Sequence, residues 1–248
     1  MQAKIPLKKM YLYGNIVFFL LIVPYLILLF QSPEQRINFT KEDGIIENLS
    51  AIFFFMASCI CFYLFFKSIS DDKVYFLKIR RNCFFLILGL LFIFCLGEEI
   101  SWGQRFFCIN TSDYLMKINN QGETNLHNLY FFQRYIKNSP VIGWFMTPER
   151  IFVLIWLFYC LLIPICNKFS LKVRNFIRKI YFPIIPIWLG ILFPLNQLIS
   201  EIFEKMQILL GLQAIIEIKE TNFAFLFFLA SISLYIKYKN NPGQVDII

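Results

Sequence analysis

CFFLILGLLFIFCLGEEISWGQR, residues 83–105, decides how this chain folds. Residues 83–96 are apolar without a break and end on Gly97, Glu98 and Glu99. Wound as a helix rising about 1.5 Å per residue, the run carries Glu98 and Glu99 about 22–24 Å from Cys83. The hydrocarbon core of a bilayer is about 30 Å thick. The two carboxylates are therefore expected just inside the outer boundary, where an ionisable group is costly unless it is paired or lines a polar cavity.

Working outward, five more stretches have the same character: residues 11–30, 45–66, 151–166, 181–199 and 221–236. With 83–107 they make six candidate spans. Fifty-eight per cent of the 248 residues are hydrophobic, with 31 Phe and a mean hydropathy of +0.61. A water-soluble domain could not bury that much apolar surface. The expected fold is all-α: a polytopic transmembrane helix bundle of about six spans, with residues 1–248 forming one integral membrane domain. The first span follows Lys4, Lys8 and Lys9 as a signal peptide would, but its long apolar run and the lack of a small-residue cleavage site predict a retained anchor. Pro24, Pro183, Pro186 and Pro194 are expected to kink their helices. The seven cysteines contain no C-x-x-C, and six lie on apolar runs, so they read as packing residues.

Orientation follows from the basic residues. Fifteen of the 24 Lys and Arg fall before the first span, in residues 67–81 and 167–180, and in the C-terminal tail. The positive-inside rule makes that side cytoplasmic and puts both termini there. This distribution accounts for the net charge of +8 without nucleic acid as a partner. The acids divide more sharply: 13 of 16, and the single histidine His127, lie on the other side. Acids contribute little to topology, so a shared outward-facing site is the reading that accounts for them. The expected location is the inner (plasma) membrane.

The connection after the third span, about 107–148, is the longest, and loops of this length inside a compact domain are usually functional or structured. Residues 114–118 and 126–136 have mixed apolar and polar faces, which predicts short helices on the membrane surface. If the third helix runs on past Glu99, then Glu98, Ser101, Trp102 and Arg105 share one face, and Arg105 can neutralise one carboxylate. The second carboxylate then stays available, and two such groups at close range tend to divide into an acid and a base. Glu123 and His127 stand at i, i+4, a helical spacing that suits metal chelation or an imidazole oriented by a carboxylate. Glu47 opens the second span. Glu201, Glu204, Glu217 and Glu220 also lie at outer span ends, where solvated helix termini are the simpler reading.

The stretches GEEISWGQR (97–105) and NNQGETNLHN (119–128) resemble a family of bacterial multi-pass inner-membrane proteins. The likeness extends to Glu42-Asp43-Gly44 with Glu47 before the second span, and to Glu217 and Glu220 before the last. It implies a bacterial membrane location and carries no activity with it. The Glu pair is also similar to that of membrane-embedded CAAX-type glutamate proteases. Those place an Arg four residues after the second Glu and histidines on later helices, whereas here Arg105 is six residues on and there is one histidine. Ceramidase-like zinc hydrolases need several histidines, and a rhomboid-like Gly-x-Ser-Gly is missing.

The leading functional expectation is a cavity built from Glu47, Glu98, Glu99, Glu123 and His127 that hydrolyses or transfers a lipid or lipid-linked substrate. Glu98, Glu99 and His127 are its candidate catalytic residues, with one Glu as general base. Arg105, Trp102, Gln104 and Asn128 are the candidate substrate-binding residues, Arg105 for a phosphate or carboxylate. Glu47, Glu98, Glu99, Glu123 and His127 are also the candidate ligands of a divalent metal cation, and oxygen-rich ligation favours Mg, Mn or Ca over zinc. The alternatives are an ion- or proton-coupled transporter using the same acids, and a non-catalytic subunit of an envelope complex.

Overall fold

A computed structural model describes residues 7–40, 44–69, 76, 80–104, 107–119, 122–126, 129–132 and 146–240. Among these residues there are helices and no strands, apart from one isolated bridge between Asn119 and Leu129. The helices are α1 (Leu7–Leu29), α2 (Pro33–Thr40), α3 (Ile45–Lys67), α4 (Cys83–Glu99), α5 (Asp113–Ile118), α6 (Pro148–Phe169), α7 (Leu171–Ile180), α8 (Ile187–Glu204), α9 (Gln207–Leu210) and α10 (Leu212–Asn240). Helix α6 is continuous but widens to π geometry over Leu157–Leu162.

Local chemistry sets these boundaries. Asn82 caps α4 by accepting from the Phe84 amide at 3.1 Å, and Thr147 caps α6 ahead of Pro148, a residue suited to the first helical turn. Glu47 in the first turn of α3 and Lys67 in its last complement the helix dipole. Of the four prolines expected to kink helices, Pro24 and Pro194 do lie inside α1 and α8. Pro183 and Pro186 do not. They belong to a non-helical stretch, and Pro186 caps α8 with extended geometry (φ −64°, ψ 140°). The fifth apolar helix thus starts at Ile187 rather than near residue 181. The carbonyls freed there are taken up by distant side chains: Asn82 Nδ2 donates to Tyr181 O at 2.7 Å and Lys237 Nζ to Ile184 O at 2.6 Å.

Among the described residues, three helices are long and apolar enough to cross a membrane: Tyr11–Leu29, Ile45–Lys67 and Pro148–Phe169. Their outward faces stay apolar, as Ile16, Phe19 and Ile27 on α1 and Ile52, Phe55 and Phe66 on α3 are all exposed. Helix α4 does the same with Ile87, Leu90 and Phe94. Surfaces of that kind are rare on monomers in water.

Helix α10 forms the axis, packing against α3, α8, α1, α2 and α9, while α4 pairs with α3 and α8 packs on the π segment of α6. The core is aromatic. Phe227 of α10 has ring contacts with Phe54 of α3, Phe92 of α4, Phe152 of α6 and Phe193 of α8, at centroid distances of 5.0–6.3 Å. A polar bridge crosses this core. Asn222 of α10 donates to Leu21 O of α1 and to Asn196 Oδ1 of α8, both at 3.0 Å, and Asn196 Nδ2 donates to Lys219 O at 3.0 Å.

Candidate carboxylate site

Helix α4 ends at Glu99 and does not run on to residue 107. A single 3₁₀ turn follows (Ser101–Gly103), with positive φ at three consecutive residues: 46° at Ser101, 55° at Trp102 and 77° at Gly103. Left-handed geometry is strained for Ser and Trp and natural only for Gly, so contacts around the turn must hold it. They do. The Trp102 indole folds back over Gly97, where a Cβ would meet the ring at 2.9–3.0 Å, and meets Phe94 edge-on at 5.7 Å. Trp102 Nε1 donates to Glu98 Oε1 at 2.7 Å. The expected shared face of a continuing helix is therefore replaced by a tight reversal, although Glu98 and Trp102 still meet.

The reversal brings the two motifs together. Glu98 Oε2 accepts from the Leu126 amide at 2.8 Å, so one carboxylate clamps both the turn and the loop. Ser101 Oγ donates to Glu123 Oε2 at 2.5 Å, and Asn125 Nδ2 donates to the same oxygen at 2.8 Å. Thr124 Oγ1 donates to Ser101 O, and the Thr124 amide donates to Gln104 Oε1 at 3.0 Å. Gln104 Nε2 reaches Thr111 Oγ1. Within the loop, Asn119 Nδ2 closes on Asn125 O at 2.7 Å. The polar groups of Glu98, Trp102, Gln104 and Glu123 thus hold the loop against the turn. Glu123 does not lie on a helix: residues 122–124 form a bend, with Gly122 at φ +69°. The helix on which the i, i+4 spacing of Glu123 and His127 depends is therefore absent at Glu123. His127, Asn128 and Arg105 lie outside the described residues.

Glu99 turns the other way, into the bundle. Its carboxylate lies within electrostatic reach of those of exposed Glu220 and half-buried Glu217 on α10 and half-buried Glu47 on α3, in decreasing order of effect. Thr221 Oγ1 draws the same ends together by donating to Ile46 O at 3.1 Å. The Ser50 hydroxyl, one turn below Glu47, is directed at Glu99. It is 1% exposed and makes no hydrogen bond of ordinary length. Glu217 and Glu220 sit within α10, which begins nine residues before the expected span; Glu220 is exposed and Glu217 half-buried. Glu217 Oε1 also accepts from Gln213 Nε2 at 2.6 Å. Glu201 and Glu204 stay on α8, bonded to Gln197 and Ser200 of their own helix.

The five-residue cavity expected from the sequence is therefore divided. Glu47 and Glu99 join the bundle cluster, while Glu98 and Glu123 join the loop. Among the described residues no group of three or more His, Cys, Asp or Glu side chains is arranged to hold a metal ion. Glu217 and Glu220, expected as span ends, act on Glu99 together with Ser50, which the sequence does not single out; the Glu-Ile-Lys-Glu spacing of 217–220, i, i+3 on a helix, is the signal that groups the two acids. No family model, curated protein or solved structure matches the chain.

Proposed function

We propose that the protein is a multi-pass protein of the bacterial inner membrane that binds and releases a proton at Glu99, as part of proton-coupled transport. In this reading α1, α3, α4, α6, α8 and α10 are the six spans, with both termini cytoplasmic. What supports it is the grouping of Glu99 with Glu47, Glu217 and Glu220. Half-buried Glu47 and Glu217 and exposed Glu220 all act on Glu99 electrostatically, and like charges of this kind favour a proton on it. A proton on Glu99 relieves that repulsion, so its binding couples to how α3, α4 and α10 sit together. Intramembrane carboxylates serve such relays. The buried Ser50 hydroxyl adds a neutral oxygen facing the same space.

The test is flux in proteoliposomes loaded with a pH-sensitive dye. Glu99→Gln is expected to abolish an ion-gradient-driven signal while the protein still folds and inserts. Equal flux with and without the Glu99 carboxyl would overturn the proposal.

A second reading keeps the hydrolase or transferase acting on a lipid or lipid-linked substrate. The strained turn at Ser101–Gly103 favours it, since backbone strain gathers at functional sites. The geometry of Glu98 works against it. Both of its oxygens accept N–H bonds, which suits a structural clamp better than a general base. Release of a new lipid product by purified protein, lost in Glu99→Gln, would favour this second reading over transport.

A further inference from the structure

Helix α7 joins α6 to the non-helical stretch before α8 and has a composition unlike the rest of the bundle. No acidic residue occurs anywhere between Glu149 and Glu201, whereas Lys168, Lys172, Arg174, Arg178 and Lys179 crowd into the α7 region. Ile177 is buried against the bundle. The opposite face is exposed and mixed: Leu171 (69%) and Phe176 (60%) stand among Lys172, Arg178 and Lys179. Phe169, just before the helix, is 77% exposed.

The helix is fixed in place. Ser170 caps it by accepting from the Val173 amide at 3.4 Å. Arg174 ties it to the end of α6, with Nε donating to Asn167 O at 3.0 Å and Nη2 to Lys168 O at 2.6 Å. At its C-terminus Tyr181 turns left-handed (φ 54°), and the Phe182 amide closes on Ile177 O at 3.1 Å. Arg174 is thereby used within the chain, and Lys172, Arg178 and Lys179 are left on the outer face.

We propose that α7 lies on the inner surface of the membrane and binds anionic phospholipid headgroups. Exposed Leu171 and Phe176 enter the boundary between headgroups and acyl chains, and Lys172, Arg178 and Lys179 meet lipid phosphates. A short basic amphipathic helix beside a span has the chemistry for this, and an exposed face with three cations and no acid is complementary to an anionic leaflet. A soluble acidic protein would supply charge but give no apolar phase for Phe169, Leu171 and Phe176, so a lipid surface is the occupant that satisfies both kinds of side chain. The proposal rests on the membrane placement above, though not on the transport reading.

The experiment compares full-length protein with the variant Lys172→Gln/Arg178→Gln/Lys179→Gln. Each is reconstituted in phosphatidylcholine alone or mixed with phosphatidylglycerol, then extracted in neutral detergent, and the retained lipid is measured by native mass spectrometry. The native chain is expected to retain phosphatidylglycerol preferentially, and the triple variant to retain several-fold less. Equal retention by both overturns the proposal. A control variant, Lys117→Gln/Lys205→Gln, carries its changes away from α7, and an equal loss there would also overturn it by showing a bulk-charge effect. Alkaline-wash-resistant membrane association of every variant, which reports on the spans and not on α7, separates failure of this proposal from failure of the membrane placement.

Discussion

Replacing Gly190 by alanine perturbs the closest helix contact in the bundle. A Cβ at this position of α8 would lie 2.0 Å from the Cys160 carbonyl oxygen and 3.0 Å from its carbon, within the π segment of α6. A carbon and a carbonyl oxygen approach to about 3.3 Å at closest, so the two helices must part by about 1.3 Å. The obstacle is backbone, so no side-chain rotation relieves it. Overpacking costs about 1–3 kcal/mol and occasionally more, and the upper end applies here. Alanine returns about 1 kcal/mol of helix propensity relative to glycine, for a net loss of about 2 kcal/mol. For a chain of this size that is about 4–8 °C in Tm. The separation would also loosen the Trp156–Phe193 stack, whose centroids are 6.0 Å apart. The assay is thermal unfolding in detergent, followed by the fraction that still elutes as folded protein. Gly14→Ala is the control, since its Cβ would meet only Trp188 at 4.0 Å. If Gly190→Ala melts no lower than Gly14→Ala, the close approach of α6 and α8 is wrong.

Other outcomes follow from the polar contacts. Gly97→Ala is expected to push Trp102 off its seat, break the bond to Glu98 and speed proteolysis within residues 107–148, with global Tm changing little; unaltered cleavage would speak against the turn. Asn222→Leu removes two bonds joining α10 to α1 and α8, at about 0.6 kcal/mol each by membrane-protein precedent. It also strands Asn196 Oδ1, so the variant should unfold at a lower denaturant concentration than the native chain. Glu98→Gln and Glu99→Gln are expected to act in opposite directions on stability at alkaline pH. The first weakens a carboxylate that accepts two N–H bonds, and the second removes a charge from among three others; a melting series that lowers both alike would contradict the division of the pair.

The apolar helices were legible in the sequence because hydrophobic runs of this length have few other solutions. Helix α3, read as 45–66, spans Ile45–Lys67. Where the reading slipped, a local feature outweighed hydropathy. Pro183 and Pro186 keep residues 182–186 out of a helix despite their apolar character, and half-buried Lys237 and buried Asn82 capture the carbonyls of Ile184 and Tyr181. The stop after Glu99 was harder to foresee. Ile100, Ser101 and Trp102 have no aversion to helix strong enough to predict two left-handed residues, and only Gly103 hints at a break. What imposes the turn is tertiary: the indole on Gly97, and Glu123, Thr124 and Leu126 anchored to Ser101 and Glu98 from more than twenty residues away.

The splitting of the Glu98–Glu99 pair has a simpler cause that was available from the start. Consecutive residues on an α-helix point about 100° apart, since a turn takes 3.6 residues, and neighbours at i, i+1 do not face each other. Adjacency in sequence therefore argues against a catalytic dyad and for two separate tasks. The structure realises both: Glu98 clamps the loop around Leu126 through the Trp102 and Leu126 N–H groups, while Glu99 is influenced by Glu47 of α3 and by Glu217 and Glu220 of α10. Each carboxylate is positioned by the other's surroundings. The loop that Glu98 holds keeps the end of α4 wound up to Glu99, and that last half-turn is what delivers the Glu99 carboxyl into the cluster. Loosening the clamp should consequently impair any process that depends on Glu99, even in a variant that leaves Glu99 untouched. Flux measured for Glu98→Gln alongside Glu99→Gln tests that dependence, and full flux in Glu98→Gln would separate the two tasks completely.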